Sequence, residues 1–335
     1  MNAWNVFWFG HVPRVRCQLL VVSLAVVIAV DCWMNFLPNA ALHGLTSFNV
    51  PHLTWLGMLP WQPSAALYAG VQLAVGMLLV MGLWSPYRRW FHDIACLLFT
   101  YGWMMSRLDS FQHHYFMSLA LLCIAWLDPA SSRRHPYKLL GCLVAILYLF
   151  TAVVKMEPIW ISGVVLRNLG EQQPWPEWMI GILGSCGLSR DLAWRFMAMG
   201  GIAVELLLAL GYLLATIWPD CHRRIPQLVA CGFLASALLT HGSIETLDLK
   251  IGWFSYYMML LAIVYFTPTA WLEAPARWVS ERLTFQWGSG LRHAVGGGCA
   301  MLLLAVTLCC SPALVEYRLL RAGALLEKGR TEDAH

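Results

Sequence analysis

Residues Leu139–Gly163 read LLGCLVAILYLFTAVVKMEPIWISG. From Leu139 to Val154 the run carries no charge, and it then ends in Lys155, Glu157, Pro158 and Trp160. A stretch of that length and apolarity reads as a membrane-crossing helix, stopped by the proline and anchored at the interface by the tryptophan. Lys155 falls where the helix leaves the hydrocarbon. An ammonium at that depth is costly unless it snorkels, pairs with an acid or performs chemistry. Whether Lys155 is an anchor or a base is the question on which a functional reading turns.

The rest of the chain repeats the pattern. Of 335 residues, 59% are hydrophobic and only 12% charged, about half the charged share of a soluble domain. Several apolar runs reach the roughly 20 residues that span a bilayer, whereas a β-barrel would show short alternating segments. The expected fold class is all-α, a polytopic transmembrane helical bundle of eight or nine spans. They are placed near 18–37, 65–84, 91–107, 113–128, 138–156, 193–217, 226–242, 252–270 and 294–312, the third and fourth as a tight hairpin. The first run starts after MNAWNVFWFGHVPRVR and no small-residue cleavage site follows it, so it reads as a retained span. The expected organisation is an N-terminal segment 1–17, a transmembrane domain 18–272, a linker and extra apolar span 273–312, and a polar tail 313–335.

Lysine and arginine counts in alternate loops set an orientation. Twelve (Arg14, Arg16, Arg88, Arg89, Arg133, Arg134, Lys138, Arg223, Arg224, Arg277, Arg282 and Arg292) stand against five (Arg107, Lys155, Arg167, Arg190 and Lys250). The N-terminus is therefore expected in the cytoplasm and Lys155 outside, while the tail residues Arg318, Arg321, Lys328 and Arg330 run against the rule. Eighteen tryptophans cluster near span ends, as an aromatic belt would. Two loops are large enough for function: 38–64, with His43 and His52, and 157–191, whose apolar Trp178–Leu183 suits a membrane surface. The eleven cysteines lie mostly in or beside spans without a CxxC, which reads as small buried hydrophobes. The net charge of +4 is spread in pairs through the loops and implies no nucleic-acid partner.

Ionisable residues at membrane depth are the candidates for chemistry. They are Asp31, His92, Asp93, His113, His114, Lys155, Glu205 and His241. In the expected topology His113, His114, Lys155 and His241 share the outer ends of spans, where they either converge on one cavity or are ordinary interface residues. Glu205 lies inside GGIAVELLLALG, either structural or functional, with Gly200 and Gly201 expected to let another helix approach. Adjacent His113 and His114 point about 100° apart on a helix, which is not metal-ligand spacing, and no metal is expected. The motifs HExxH, GxSxG, GxGxxG and the P-loop are absent, which argues against a zinc enzyme, a serine hydrolase and an NTPase.

YLFTAVVKMEPIWISG resembles the motif of vitamin K-dependent γ-glutamyl carboxylases, an aromatic-rich helix ending in Lys, an acid, Trp and Gly. FQHHYFMSLALLCIAWLDP, GGIAVELLLALG and HGSIETLDLKIGWFSYYMML are similar to three further segments of that family, in the same order. The similarity covers about residues 15–272, the part also found alone as the HTTM (horizontally transferred transmembrane) domain. It departs from the family at His114, Val154 and Glu245, and the carboxylases continue beyond the similar part into a large lumenal region.

The resemblance implies catalytic roles for Lys155, His113 and His241, and a substrate or quinone pocket with His114, Tyr115, Trp160 and Glu205. It implies a reduced quinone (vitamin K hydroquinone or menaquinol) as co-substrate, drawn from the lipid bilayer. In the carboxylases the lysine deprotonates the hydroquinone, O2 adds, and the resulting base removes a glutamate γ-proton that CO2 replaces. The expected activity is such a carboxylation of a small peptide substrate, or epoxidation of the quinol alone, in a bacterial inner membrane. Two other readings stay open: an accessory protein for maturation or export of a secreted peptide, and a quinone- or lipid-binding transporter.

Overall fold

Apolar runs bounded by proline, serine caps and glycine build the helices of the chain. In the computed structural model the described residues are 3–40, 51–58, 63–106, 112–128, 134–171, 173–219, 227–246, 253–273 and 298–305. All regular structure among them is helical. In chain order the helices are α1 Ala3–Phe9, α2 Arg14–Asn39, α3 Ala65–Gly82, α4 Arg88–Met104, α5 Gln112–Trp126, α6 His135–Val154, α7 Pro158–Ile161 and α8 Val164–Gly170. There follow α9 Pro174–Ser185, α10 Arg190–Ile217, α11 Gln227–Thr246 and α12 Phe254–Phe266. Residues 298–305 are also helical. Ser64 and Ser189 cap α3 and α10 by accepting from the N–H of Leu67 and Leu192.

Five helices (α2, α3, α6, α10 and α11) are long and apolar enough to cross a membrane. Helix α4 carries Arg88, Arg89 and Asp93 in its first turns, and α5 and α12 are shorter apolar helices. The expected His43, the 107–111 connection and the 313–335 tail lie outside the described residues, as does most of 273–312.

The chain divides into two units. The first comprises Met1–Leu20 and Leu127–Ser280, the second Val21–Trp126 and Glu281–His335. In the first, α6 packs lengthwise on α10, α10 on α11, and α11 on α12. Gly141 permits the close approach: a Cβ there would lie 2.1 Å from Thr216 Oγ1 on α10 and 2.8 Å from the Tyr265 ring on α12. Near the start of α6 the cations are held by backbone carbonyls. Arg16 donates to the carbonyls of Val264, Tyr265 and Thr267 at the end of α12, Arg134 to that of Val12, and Lys138 to that of Phe7 on α1. Carbonyls that a helix end leaves unpaired thus neutralise a guanidinium that is fully buried.

In the second unit, α3 packs on α4 and α4 on α5. Helix α2 passes through a π-helical turn at Cys32–Phe36 just after Asp31, whose carboxylate accepts from Asn35 at 2.5 Å. Trp33 fills the space over Gly76, where a Cβ would lie 2.2 Å from its indole.

Among the described residues Gly200 and Gly201 do not serve the close approach expected of them, because nothing lies within 4 Å of a Cβ at either. The contact sits at Gly141 and at Gly211, whose Cβ would meet the Phe233 ring at 2.8 Å. Gly141→Ala should therefore lower stability by about 1–3 kcal/mol, read as a fall in the thermal midpoint of the purified protein. Gly200→Ala should leave it unchanged or raise it by up to about 1 kcal/mol.

Candidate functional site

Helix α6 places Tyr148 and Lys155 on one face, two turns apart, and α10 does the same for Glu205 and Tyr212. The two helices run antiparallel, so each step of two turns along one is matched by a step back along the other. Lys155 thereby meets Glu205 in an ion pair, and the Tyr148 ring stacks on Tyr212 with centroids 5.6 Å apart and planes 19° apart. The Lys155 side chain is 30% exposed and that of Glu205 12%. Pairing is what makes both charges tolerable among apolar helices, since either one alone would carry an uncompensated desolvation cost.

Trp160 of α7 covers the ammonium, with Lys155 Nζ 5.4 Å from the ring centroid, a cation–π distance. The turn that brings Trp160 back depends on Gly163. Its φ is +80°, and a Cβ would lie 2.6 Å from the Trp194 carbonyl carbon on α10. Only glycine supplies both the left-handed conformation and the close contact.

His241 of α11 completes the group. Its Nε2 lies 2.6 Å from the Tyr148 hydroxyl, and its ring meets Phe254 of α12 edge-on at 6.0 Å. The short distance and the relative strengths of the groups make the phenol the donor: a neutral imidazole nitrogen accepts better than a phenol oxygen. That leaves Nδ1 carrying the proton. Nδ1 of His241 and Oε2 of Glu205 are both buried without a hydrogen-bond partner among the described residues. The Lys155 charge reaches the His241 imidazole and the Glu205 charge reaches the Tyr148 phenol, so the four side chains form one electrostatic group.

Of the expected site residues, the structure brings together Lys155, Trp160, Glu205 and His241 in the first unit. His113, His114 and Tyr115 belong to the second. There His114 is buried between Phe36, at 4.7 Å, and Phe99, at 6.0 Å, with the His113 ring 4.2 Å away. Tyr115 is exposed and sets its ring edge-on to Trp103. His92 faces the Leu79 carbonyl at 3.3 Å, and Asp93 pairs with Arg89 at 3.6 Å. Among the described residues no group of three or more His, Cys, Asp or Glu is arranged to hold a metal ion.

Tyr148 and Tyr212 are members of the site that sequence reasoning did not single out. The signal was present as spacing: Tyr148 precedes Lys155 by two helical turns, and Tyr212 follows Glu205 by two. No family model matches the chain, and neither a curated protein nor a solved structure matches it.

The orientation of His241 is open to a direct test. In protein labelled with 15N at histidine, His241 (identified by its loss in His241→Asn) should show a protonated Nδ1 and a bare Nε2. Tyr148→Phe removes the donor to Nε2 and should move the proton there. An unchanged tautomer in that variant would show that Tyr148 does not orient the ring.

Proposed function

We propose that the chain is an integral membrane enzyme, resembling the membrane part of the vitamin K-dependent γ-glutamyl carboxylases, that acts on a reduced quinone taken from the bilayer. In this reading the shorter helices α4, α5 and α12 and the helix at 298–305 also cross, giving eight or nine spans. The N-terminus lies in the cytoplasm of a bacterial cell and the Lys155 end of α6 outside, as the loop charges favour.

One observation carries the proposal. Two unfilled hydrogen-bonding atoms, Glu205 Oε2 and His241 Nδ1, stand at a largely buried ion pair bordered by the rings of Tyr148, Trp160 and Phe254. A hydroquinone suits that set, because it offers an O–H to the carboxylate, an oxygen to the imidazole N–H, and a flat ring to the aromatic walls. When bound, the reduced quinone supplies with O2 the strong base that this chemistry requires.

The residues of the chain bind, orient and move the first proton. Transfer of the proton along the ion pair from Lys155 Nζ to Glu205 Oε1 would leave a neutral amine. That amine then accepts the hydroxyl proton as general base. The His241 Nδ1–H steadies the oxygen that loses it, which is where negative charge develops. Trp160 keeps water from the amine on its open side.

A second reading, an accessory protein for the maturation or export of a secreted peptide, is favoured by the same ion pair. Lys155 has in Glu205 and Trp160 the partners that a purely structural lysine needs.

Purified protein in lipid nanodiscs, given vitamin K hydroquinone, O2, bicarbonate and a glutamyl peptide, decides between them. The enzyme reading expects quinone epoxide, with or without carboxylated peptide, and a loss of about 10²-fold or more in Lys155→Arg, since a guanidinium stays protonated. Folded wild-type protein that makes neither product would overturn it.

A further inference from the structure

Helices α7–α9 form a cap between the end of α6 at Val154 and the start of α10 at Arg190. Both of those helices are long and apolar enough to cross a membrane, so the cap is tethered on each side to the same membrane boundary.

The cap has an inner face, a charged margin and an outer face. The inner face packs Ile180 against Ala193 and Trp194, flanked by Leu166, Leu183, Leu188 and Met197. On the margin, opposite charges meet. Arg167 pairs with Asp191 at 3.1 Å and with Glu171 at 3.5 Å, while Arg190 pairs with Glu177 at 2.6 Å and with Glu171 at 3.5 Å. The outer face of α9 is the stripe Pro174, Trp178, Gly181, Ile182 and Ser185, at helical spacing and without a charge. Trp178 is 65% exposed, the largest side chain on that stripe.

We propose that α9 is seated in the membrane interface, with Trp178 and Ile182 in lipid, and that the bilayer thereby holds the roof of the Lys155 site in place. Three arguments select lipid. The first three turns of α10, against which α9 packs, also expose the large apolar side chains Leu192, Phe196 and Met199, so the neighbouring crossing helix offers lipid an apolar surface beside the cap. The two arginines of the margin are paired with the three carboxylates, so its charges sit at the rim and leave the stripe itself uncharged. Tryptophan with aliphatic neighbours on one side of a short amphipathic helix is the composition that interfaces select.

The seat of α9 is connected to the site through named contacts. Trp194 lies under α9, its backbone wedges against Gly163, and Gly163 turns α7 so that Trp160 covers the Lys155 ammonium. Gly170 adds to the wedge, since a Cβ there would lie 3.3 Å from the Trp194 ring. The inference rests on the membrane reading of the chain and is independent of whether the site is catalytic.

The test places a nitroxide on single cysteines and measures its collisions with O2, which concentrates in lipid, and with a nickel chelate, which stays in water. Exposed Cys186 and Cys299, half-buried Cys142 and Cys231, and Cys221, Cys309 and Cys310 are first replaced by serine, and the label is attached in Trp178→Cys, Ile182→Cys and, as the aqueous reference, Asp191→Cys. In nanodiscs of phosphatidylcholine and phosphatidylglycerol, the O2-to-nickel ratio at 178 and 182 should exceed that at 191 by about tenfold. Ready access of nickel to 178 and 182 would place α9 in water and overturn the proposal. Exclusion of both reagents would mean a protein surface, a second copy or a bound peptide, and would overturn it equally. If Trp178→Cys fails to fold, Ile182→Cys and Gly181→Cys give the same answer, because both lie on the stripe and a Cβ at Gly181 meets nothing within 4 Å.

Discussion

A charge deep among apolar helices must find its partner within the protein, and in this chain that constraint joins Lys155 to Glu205 across α6 and α10. Neither helix can slide without separating the pair. The antiparallel register that satisfies it also stacks Tyr148 on Tyr212 and lays Gly141 against Thr216. Three contacts along one seam therefore specify the same alignment. Agreement of this kind between electrostatics, aromatic packing and steric fit is what makes a single arrangement preferred over its shifted alternatives.

Opposite ends of α6 handle their cations differently. At its start Lys138 and Arg134 are bound by carbonyls of the preceding segment, and Arg16 closes the last turn of α12. These cations donate to neutral acceptors and lock helix ends, and the Nε atoms of Arg16 and Arg134 are likewise buried without a partner among the described residues. At its far end Lys155 faces a carboxylate with one oxygen unfilled, beside an imidazole with one nitrogen unfilled. What distinguishes the Lys155 end is that its open atoms are an acceptor and a donor around one ion pair, a set that a ligand with both an O–H and an oxygen can fill.

Much of this was legible in the sequence, and for physical reasons. Long uncharged runs of the length that crosses a membrane read as helices, so α2, α3, α6, α10 and α11 were expected near their observed places. Lys155, Glu205 and His241 stood out because charge or polarity at membrane depth is expensive. Tyr148 and Tyr212 did not stand out, because a tyrosine among aromatic and aliphatic neighbours carries no such penalty and its partner lies on another helix. The paired two-turn spacings were visible, yet only the antiparallel register gives them meaning. Gly200 and Gly201 misled for a related reason: a GG pair shows where another helix can approach, and the approach occurs at Gly141 and Gly211. The π-helical turn after Asp31 had no sequence signal, since it arises from how α2 packs over Gly76.

The account holds that the Lys155–Glu205–His241–Tyr148 group receives a lipid-soluble reduced quinone. Photolabelling tests this most directly, with an azido-naphthoquinone reduced in nanodiscs that contain the protein and adducts mapped by mass spectrometry. The account predicts adducts concentrated on α6, α10 and α11 around Tyr148, Lys155, Glu205 and His241, suppressed by excess vitamin K hydroquinone and lost in Glu205→Gln. Labelling spread evenly over the lipid-facing helices, unaffected by competitor or by Glu205→Gln, would contradict it.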